Sequence, residues 1–336
     1  MVVAPTVRMA PNTPTLESKK RHHNVPVAYL KQFTDKDDRL WAYRKDEPDK
    51  ALHVRPSEIG FERYYYSQPL EDGSRDHNRV EDFFSNLEGE WPPLVERLRA
   101  HRNGSDDPGI LEEFLAVMRV RVPAARDMVE LSLAANIMAA TRVADRAGRL
   151  PPKPEGLEDI LDRAEVAIDP HRSMLAMPAL IQGFGRLMRM LGFQIVHNRT
   201  NTPFITSDNP VAYFDPLIPE DRMFPYRVDK ITQSVELLFP IAPDLLLRGH
   251  SGLKNEIGFR HVQLDSNPEA KRINRITARF GYRFVFASSE AHHPLVKKHA
   301  HHSPTIRTAS VSSKTGEYVY SEYVFAPRAL KRKWER

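Results

Sequence analysis

The hydrophobic pattern of this chain changes near Gly192. Between residues 80 and 191, apolar residues recur mostly at intervals of three and four, which is typical of amphipathic helices. After Gly192, short β-rich runs such as FQIVHN and SVELLFPIAP are separated by Asn, Pro and Gly. Extended runs such as LWAYR and ALHV also precede the helical part. This order predicts an α+β fold with N-terminal strands, a central helical bundle and a C-terminal antiparallel sheet with one helix.

Prolines and a polar cap mark the expected ends of several helices. Pro92 and Pro93 must break or kink the segment VEDFFSNLEGEWPPLVERLRA, and Pro123 suits the first turn of the next helix. Ser266 or Asn267 is expected to cap the helix NPEAKRINRITARF. Further helices are expected around LEDILDRAEVA and HRSMLAMPALIQGFGRLMRML, and GEYVYSEYVFAP is expected to form an edge strand.

The 336 residues could form one large domain or two smaller ones. The segmentation predicted from the sequence is a flexible arm at 1–19, a single α+β domain at 20–327 and a basic tail at 328–336. Lys and Arg number 49 against 44 Asp and Glu, a formal charge of +5. This small excess permits an acidic partner such as nucleic acid and does not require one.

Several classes of protein are excluded by composition and motif content. The chain has no cysteine, which rules out disulfides, thiolate zinc sites and cysteine nucleophiles and is typical of intracellular proteins. Its N-terminus lacks the apolar core of a signal peptide, and its most apolar stretch is short and interrupted by Arg142, so we expect a cytoplasmic protein without a membrane anchor. The phosphate-loop, GxGxxG, HExxH and GxSxG motifs are also absent.

A family resemblance emerges from motifs spread over most of the chain. HHNVPVAYLKQF, LWAYRK, YYY, RVEDFFSNLE, RVRVPAAR and TSDNP resemble a bacterial family of unknown function that opens with His-His-x-Ile/Val-Pro-x-x-Tyr-Leu-x-x-Phe. The resemblance runs from about Lys20 to Ser288. It implies one α+β unit and transfers no activity.

Two histidines and two glutamates are candidate metal ligands. His22 and His23 are adjacent on an extended segment, so their side chains should point to opposite faces. Glu81 and Glu88 lie seven residues apart on one predicted helix face and could bind Mg²⁺, Mn²⁺ or Zn²⁺ together with an imidazole. The structural alternatives are a histidine that packs in the core and a solvated glutamate face.

The segment FITSDNP places a carboxylate and an amide at the end of a predicted strand. Asp208 could ligate a metal or act as a general base, and Asn209 could position substrate. The alternative is an Asx-turn in which Asp208 binds only nearby backbone NH groups.

Two arginines and an asparagine are candidate substrate-binding residues. Arg121 and Arg126 flank Pro123 at a helix start and could hold a phosphate, or they could pair with Glu81 or Glu88. Asn274 is a polar residue on an otherwise apolar helix face, where it could contact substrate or serve a structural hydrogen bond.

The histidine-rich run AHHPLVKKHAHH resembles a metal-binding tract in composition alone. Because Lys297 and Lys298 would oppose a cation, we interpret it as a solvent loop.

The function predicted from these residues is a metal-dependent hydrolase, such as a nuclease or another phosphodiesterase. In this hypothesis Asp208, Asn209 and His23 are catalytic, and a divalent metal is held by His22, His23, Glu81, Glu88 and Asp208. Arg121, Arg126 and Asn274 would bind a phosphate-bearing substrate. The alternative is a non-catalytic protein that binds nucleic acid or another anionic partner with the same residues.

Overall fold

The computed structural model describes residues 21–328 except 103, 105, 106, 257, 314 and 315. The predicted arm, and all of the predicted tail after its first residue, lie outside the described residues.

Fifteen strands are assigned in the described part of the chain, and they form sheets of two, four and five strands. In chain order they are β1 (Arg21–His23), β2 (Leu40–Arg44), β3 (Ala51–Val54), β4 (Phe61–Arg63), β5 (Gln68–Pro69), β6 (Arg75–Asp76), β7 (Gly192–Asn198), β8 (Thr206–Ser207), β9 (Ala212–Phe214), β10 (Glu236–Ala242), β11 (Leu245–His250), β12 (Phe259–Leu264), β13 (Phe284–Ala287), β14 (Ser303–Ser313) and β15 (Gly316–Ala326).

The described helices occupy mainly the middle of the chain, as the periodicity predicts. They are α1 (Val27–Leu30), α2 (Arg79–Gly89), α3 (Trp91–Arg99), α4 (Asp107–Val120), α5 (Pro123–Arg146), α6 (Ile160–Arg163), α7 (Pro170–Ser173), α8 (Met177–Met188), α9 (Asn267–Phe280) and α10 (His293–Lys298).

The predicted helix boundaries agree with the structure where proline or a cap defines them. The break before Pro92 separates α2 from α3, and Pro123 is the first residue of α5. Ser266 is the N-cap of α9, with its hydroxyl accepting from the Glu269 NH. These positions confirm the predicted α+β organisation.

The five-stranded sheet is covered on both faces. Its strand order is β12-β7-β11-β10-β9, and every residue of β10 is buried. Leu237 and Phe239 pack into a core formed with α1 to α4 and α8, whereas Leu238 packs into a second core with α9. This alternation follows from the two-residue side-chain period of a strand.

One strand pairing departs from the antiparallel sheet expected from the sequence. β12 runs parallel to β7. After β11, which pairs with one edge of β7, the chain crosses the start of β7 and forms β12 along its other edge. The crossing is tight, since a Cβ atom built on Gly192 would lie 1.8 Å from the carbonyl oxygen of Leu253. Gly192 is thus the residue that permits the crossover.

Strands from before and after the central helices share the four-stranded sheet. In the four-stranded sheet β3-β2-β13-β8, Ala42 is the register partner of Phe286 and Tyr43 that of Val285. The hairpin of β14 and β15 packs against α5, and β14 also contacts α9.

One local expectation is confirmed only in part, and another was wrong. The segment LEDILDRAEVA contains a single helical turn, α6, because apolar side chains such as Ile160 remain exposed and no core covers them. The histidine-rich run is not a simple solvent loop, since it forms α10 and buries His292 and His299.

Replacement of Gly192 by alanine tests the crossover. The methyl group would overlap backbone that cannot rotate away, so we expect Gly192→Ala to lower the free energy of unfolding by about 3 kcal/mol or more. Gly109→Ala in α4 is the control, because a methyl group there meets nothing within 4 Å. It should be neutral or stabilising by up to about 1 kcal/mol. Urea denaturation measures both; equal stabilities of the two variants would contradict the close approach.

Candidate metal centre

Three histidines from distant segments meet beside the five-stranded sheet. His101 follows α3, His197 is the penultimate residue of β7 and His261 lies within β12. One ring nitrogen from each lies within 4.8 Å of the others. Within the ranges that the structure describes, no other group of three His, Asp or Glu side chains meets this criterion.

The parallel pairing of β7 and β12 brings two of these residues together. His261 is the register partner of Ile195, which precedes His197 by two residues. Residues two apart on a strand share a face, so His197 and His261 project from the same side of the sheet. The Nε2 atom of His197 lies 2.8 Å from the Nδ1 atom of His261, a hydrogen-bond distance.

A turn after α3 supplies the third imidazole. His101 has a φ of 54°, a left-handed conformation that reverses the chain just after the helix ends. Its ring stacks on that of His197, with centroids 3.8 Å apart and planes 8° from parallel. His101 is exposed, His197 is buried and His261 is intermediate, so the group opens to solvent on the His101 side.

The spacing of the nitrogens suits a small divalent cation. Donors around a tetrahedral zinc ion, at about 2.0–2.1 Å from the metal, lie about 3.3 Å from one another. The separations here include 2.8 Å and do not exceed 4.8 Å, so they bracket that value. Binding of one metal by all three rings requires the stacked rings of His101 and His197 to turn out of their parallel arrangement.

The electrostatic environment keeps the imidazoles of His197 and His261 neutral. Burial, together with the charges of His101, His261 and Arg199, lowers the pKa of His197 to about 4, with Asp244 acting weakly in the opposite direction. Burial and His101 also lower the pKa of His261. Neutral imidazole is the form that binds metals, and it suits zinc, copper, nickel and iron.

Sequence reasoning missed this group altogether. The three histidines are separated by 96 and 64 residues, and no spacing motif links them. Only the strand register and the turn after α3 create their proximity. The histidine-rich run at 292–302 resembles a metal-binding tract in composition, but none of its residues belongs to this group.

The opening histidines serve packing in this structure. The His22 ring is fully buried, stacks on Tyr66 and accepts a hydrogen bond from the Tyr66 NH at 2.8 Å. The His23 ring lies edge-on to Phe61, and burial lowers its pKa. These contacts hold β1 against the core just before Pro26, the N-cap residue of α1.

The predicted acidic pair and one arginine lie in the same region. Glu88 accepts a hydrogen bond from Arg121 Nη1 at 2.7 Å, and Arg121 also donates to the backbone carbonyl of His23. Arg121 is 1% exposed and its guanidinium lies over the ring of Phe84. Glu81 is buried nearby; burial raises the pKa of the Tyr66 phenol, and the charge of Glu81 adds to that shift. The ion-pair alternative for Arg121 and Glu88 agrees with this geometry.

Arg126 has a separate set of partners. It donates to the carbonyl of Tyr65 at 2.9 Å and to the Ser173 hydroxyl at 3.2 Å, and it lies 3.4 Å from Glu130. The cavity lined by Arg121 and Arg126 has a volume of about 20 Å³. That volume is about one water-sized sphere and leaves no room for a substrate.

The TSDNP segment closes the turn between α9 and β13. The buried Asp208 carboxylate accepts from the NH groups of Tyr282 at 2.8 Å and Arg283 at 2.9 Å. The Asn209 amide donates to the Tyr226 hydroxyl and to the Phe280 carbonyl. Burial raises the pKa of Asp208, and the backbone NH groups act against that shift.

Asn274 also has backbone partners on both sides of its amide. Its oxygen accepts from the Ile205 NH at 3.1 Å, and its nitrogen donates to the Pro203 carbonyl at 2.8 Å.

The predicted site residues therefore fall into groups around Tyr66, Arg126 and the TSDNP turn, and none belongs to the histidine trio. Their catalytic and metal-binding roles stay predictions.

Comparison with protein-family models identifies the family of this chain. A family model described as protein of unknown function (DUF4238) matches residues 21–291. The chain belongs to this family. No curated protein and no solved structure matches the DUF4238 chain significantly. Among its described helices, none combines the length and apolar character needed to cross a bilayer.

Removing the Asp208 carboxylate should destabilise the fold. Asp208→Ala leaves two buried NH groups without an acceptor, so we expect the free energy of unfolding to fall by about 3 kcal/mol or more. Asp229→Ala is the matched control, since Asp229 accepts from the NH groups of Ile231 and Thr232 in an exposed turn. Urea denaturation should show a much smaller loss for it. Comparable losses in the two variants would argue against a special role for the buried turn.

The lowered pKa of His197 predicts how stability depends on pH. The pKa of histidine is about 6.5 in an unfolded chain, so unfolding takes up a proton between that pH and about 4. The free energy of unfolding should therefore decrease as the pH falls through this range. His197→Gln lacks this contribution. The difference in the free energy of unfolding between the wild type and this variant should therefore become smaller as the pH falls. Urea denaturation in a chelator checks this, with His301→Gln as control; a pH-independent difference would contradict the prediction.

Proposed function

We propose that this DUF4238 protein is a metal-dependent hydrolase whose metal is held by His101, His197 and His261. The observation that carries the proposal is the approach of three ring nitrogens to within 4.8 Å in surroundings that keep two of the imidazoles neutral. The proposed activity is the one expected from the sequence. The proposed metal ligands differ from the expected ones, because the fold brings these three histidines together.

The donor set favours a catalytic site over a structural one. Structural zinc sites use four protein ligands, whereas catalytic sites use three and leave a position for water or substrate. Three imidazoles are a ligand set of the catalytic type, and a bound zinc ion would lower the pKa of water to about 7. The exposed ring of His101 leaves this side of the group accessible.

Two arginines favour an anionic substrate. Arg102 adjoins His101 and Arg199 follows His197 by two residues; both are exposed, and neither has an ion-pair partner among the described residues. Arg199 is close enough to lower the pKa of His197. Arg99, by contrast, is neutralised by Asp244 at 2.9 Å. Guanidinium groups bind phosphate oxygens well, which supports a phosphodiester, such as nucleic acid, as substrate.

The proposal retains the cytoplasmic location and the single domain at 20–327 expected from the sequence.

Metal titration tests the ligand set. Calorimetric titration of the chelator-treated protein with Zn²⁺ should show one site. His101→Ala, His197→Ala and His261→Ala should each weaken Zn²⁺ binding by at least about 100-fold, because loss of a residue that only supports a metal ligand already costs up to about 100-fold in metal affinity. The double variant His301→Ala/His302→Ala controls for binding by the histidine-rich run and should retain the site. Wild-type affinity in all three trio variants would overturn the proposal.

Hydrolysis of bis(4-nitrophenyl) phosphate by the zinc-loaded protein tests the chemistry. We expect turnover that chelation abolishes and that His197→Ala lacks, with Arg199→Gln raising KM more than it lowers kcat. Metal binding without turnover would contradict the hydrolase and would support the non-catalytic binding alternative.

A further inference from the structure

A second cavity lies among α4, α5, α8 and the β14–β15 hairpin. Its volume is about 400 Å³, within the range of small-molecule sites. Most of its wall is aliphatic or aromatic, including Met128, Leu133 and Phe184. Ile306 and Tyr323, which are register partners across the hairpin, line it on another side.

One charged side chain lines this otherwise uncharged cavity. Arg119, in the last turn of α4, is 9% exposed. Its guanidinium carbon lies 3.9 Å from the ring centroid of Tyr226 and 5.9 Å from that of Tyr213. Among the described residues, no carboxylate lies within 4.0 Å of it. Arg121, which is also buried, is bound to Glu88, whereas Arg119 is a buried cation without a counter-ion in the part of the chain that the structure describes.

The aromatic contacts satisfy only part of this side chain. Stacked rings interact with the face of a guanidinium, whereas its five N–H donors point outward in its plane. The Tyr213 hydroxyl offers one acceptor. Burying an ion without a partner is costly, and an anion in the cavity would remove that cost.

We propose that this cavity binds a small monocarboxylate with an apolar tail, such as a medium-chain fatty acid, with its carboxylate on Arg119. A carboxylate matches the planar guanidinium through two parallel hydrogen bonds. A phosphate group would bring more charge than the single cation lining the cavity could neutralise. The aliphatic wall would receive the tail, and this site is independent of the proposed metal centre.

A glycine keeps part of the cavity open. Gly183 lies inside α8, where glycine costs about 0.5–1 kcal/mol relative to alanine. A Cβ atom built there would meet only the end of the Arg186 side chain, at 3.8 Å. Packing therefore does not require glycine at this position, and Gly183 lines the cavity.

Calorimetric titration with octanoate and octan-1-ol tests the proposal. The wild type should bind octanoate at least about 10-fold more tightly than octan-1-ol, the difference expected for a charge-assisted hydrogen bond. Arg119→Gln should remove this preference while leaving octan-1-ol binding in place, and Arg119→Lys should retain part of it. Equal affinities of the wild type for the two ligands, or no binding of either, would overturn the proposal.

A cavity-filling variant provides a test that does not alter the arginine. Gly183→Leu should abolish binding of both ligands with stability equal to or above that of the wild type. Gly185→Leu is the matched control, because Gly185 lies on the same helix and does not line the cavity. It should bind octanoate normally. Unchanged octanoate affinity in Gly183→Leu would place the ligand elsewhere and contradict the proposal.

Discussion

The buried carboxylate of Asp208 joins parts of the chain that are far apart in sequence. It accepts hydrogen bonds from the turn between α9 and β13, and Arg283 in that turn is paired with Glu62 of β4. β4 in turn pairs with β1, which carries the opening histidines. The N-terminal segment, the TSDNP turn and the last helix of the matched region thus depend on one another through a few buried or partly buried polar contacts. In a low-dielectric interior such contacts specify a single arrangement, because each alternative leaves a polar group without a partner.

The sequence was informative wherever a local rule controls the backbone. Proline fixed the boundary between α2 and α3 and the start of α5, and a serine hydroxyl capped α9, because these effects act within a few residues. The parallel pairing of β12 could not be predicted, since strand neighbours depend on the route of the chain between them. The histidine trio depends on that pairing, so it was invisible for the same reason. Polar residues in the predicted motifs were recognised as important, but the sequence could not distinguish chemistry from the satisfaction of buried backbone groups.

The two proposed sites handle charge in opposite ways. At the histidine trio, burial and mutual repulsion keep the imidazoles of His197 and His261 uncharged, which leaves their lone pairs available to a cation. In the cavity, Arg119 cannot lose its proton, so aromatic rings and a helix C-terminus support a permanent positive charge. Each arrangement selects a ligand of one sign, and neither requires the other to be occupied.

The β14–β15 hairpin begins at Ser303, after the end of the family match at residue 291. It nevertheless supplies part of the wall of the larger cavity through Ile306 and Tyr323. Changes at Ile306 or Tyr323 would reshape the cavity, and neither residue takes part in the hydrogen bonds from Tyr282 and Arg283 to Asp208. Relatives that share the scaffold could therefore diverge in ligand preference by exchanging one peripheral segment, so that ligand selectivity evolves separately from foldability.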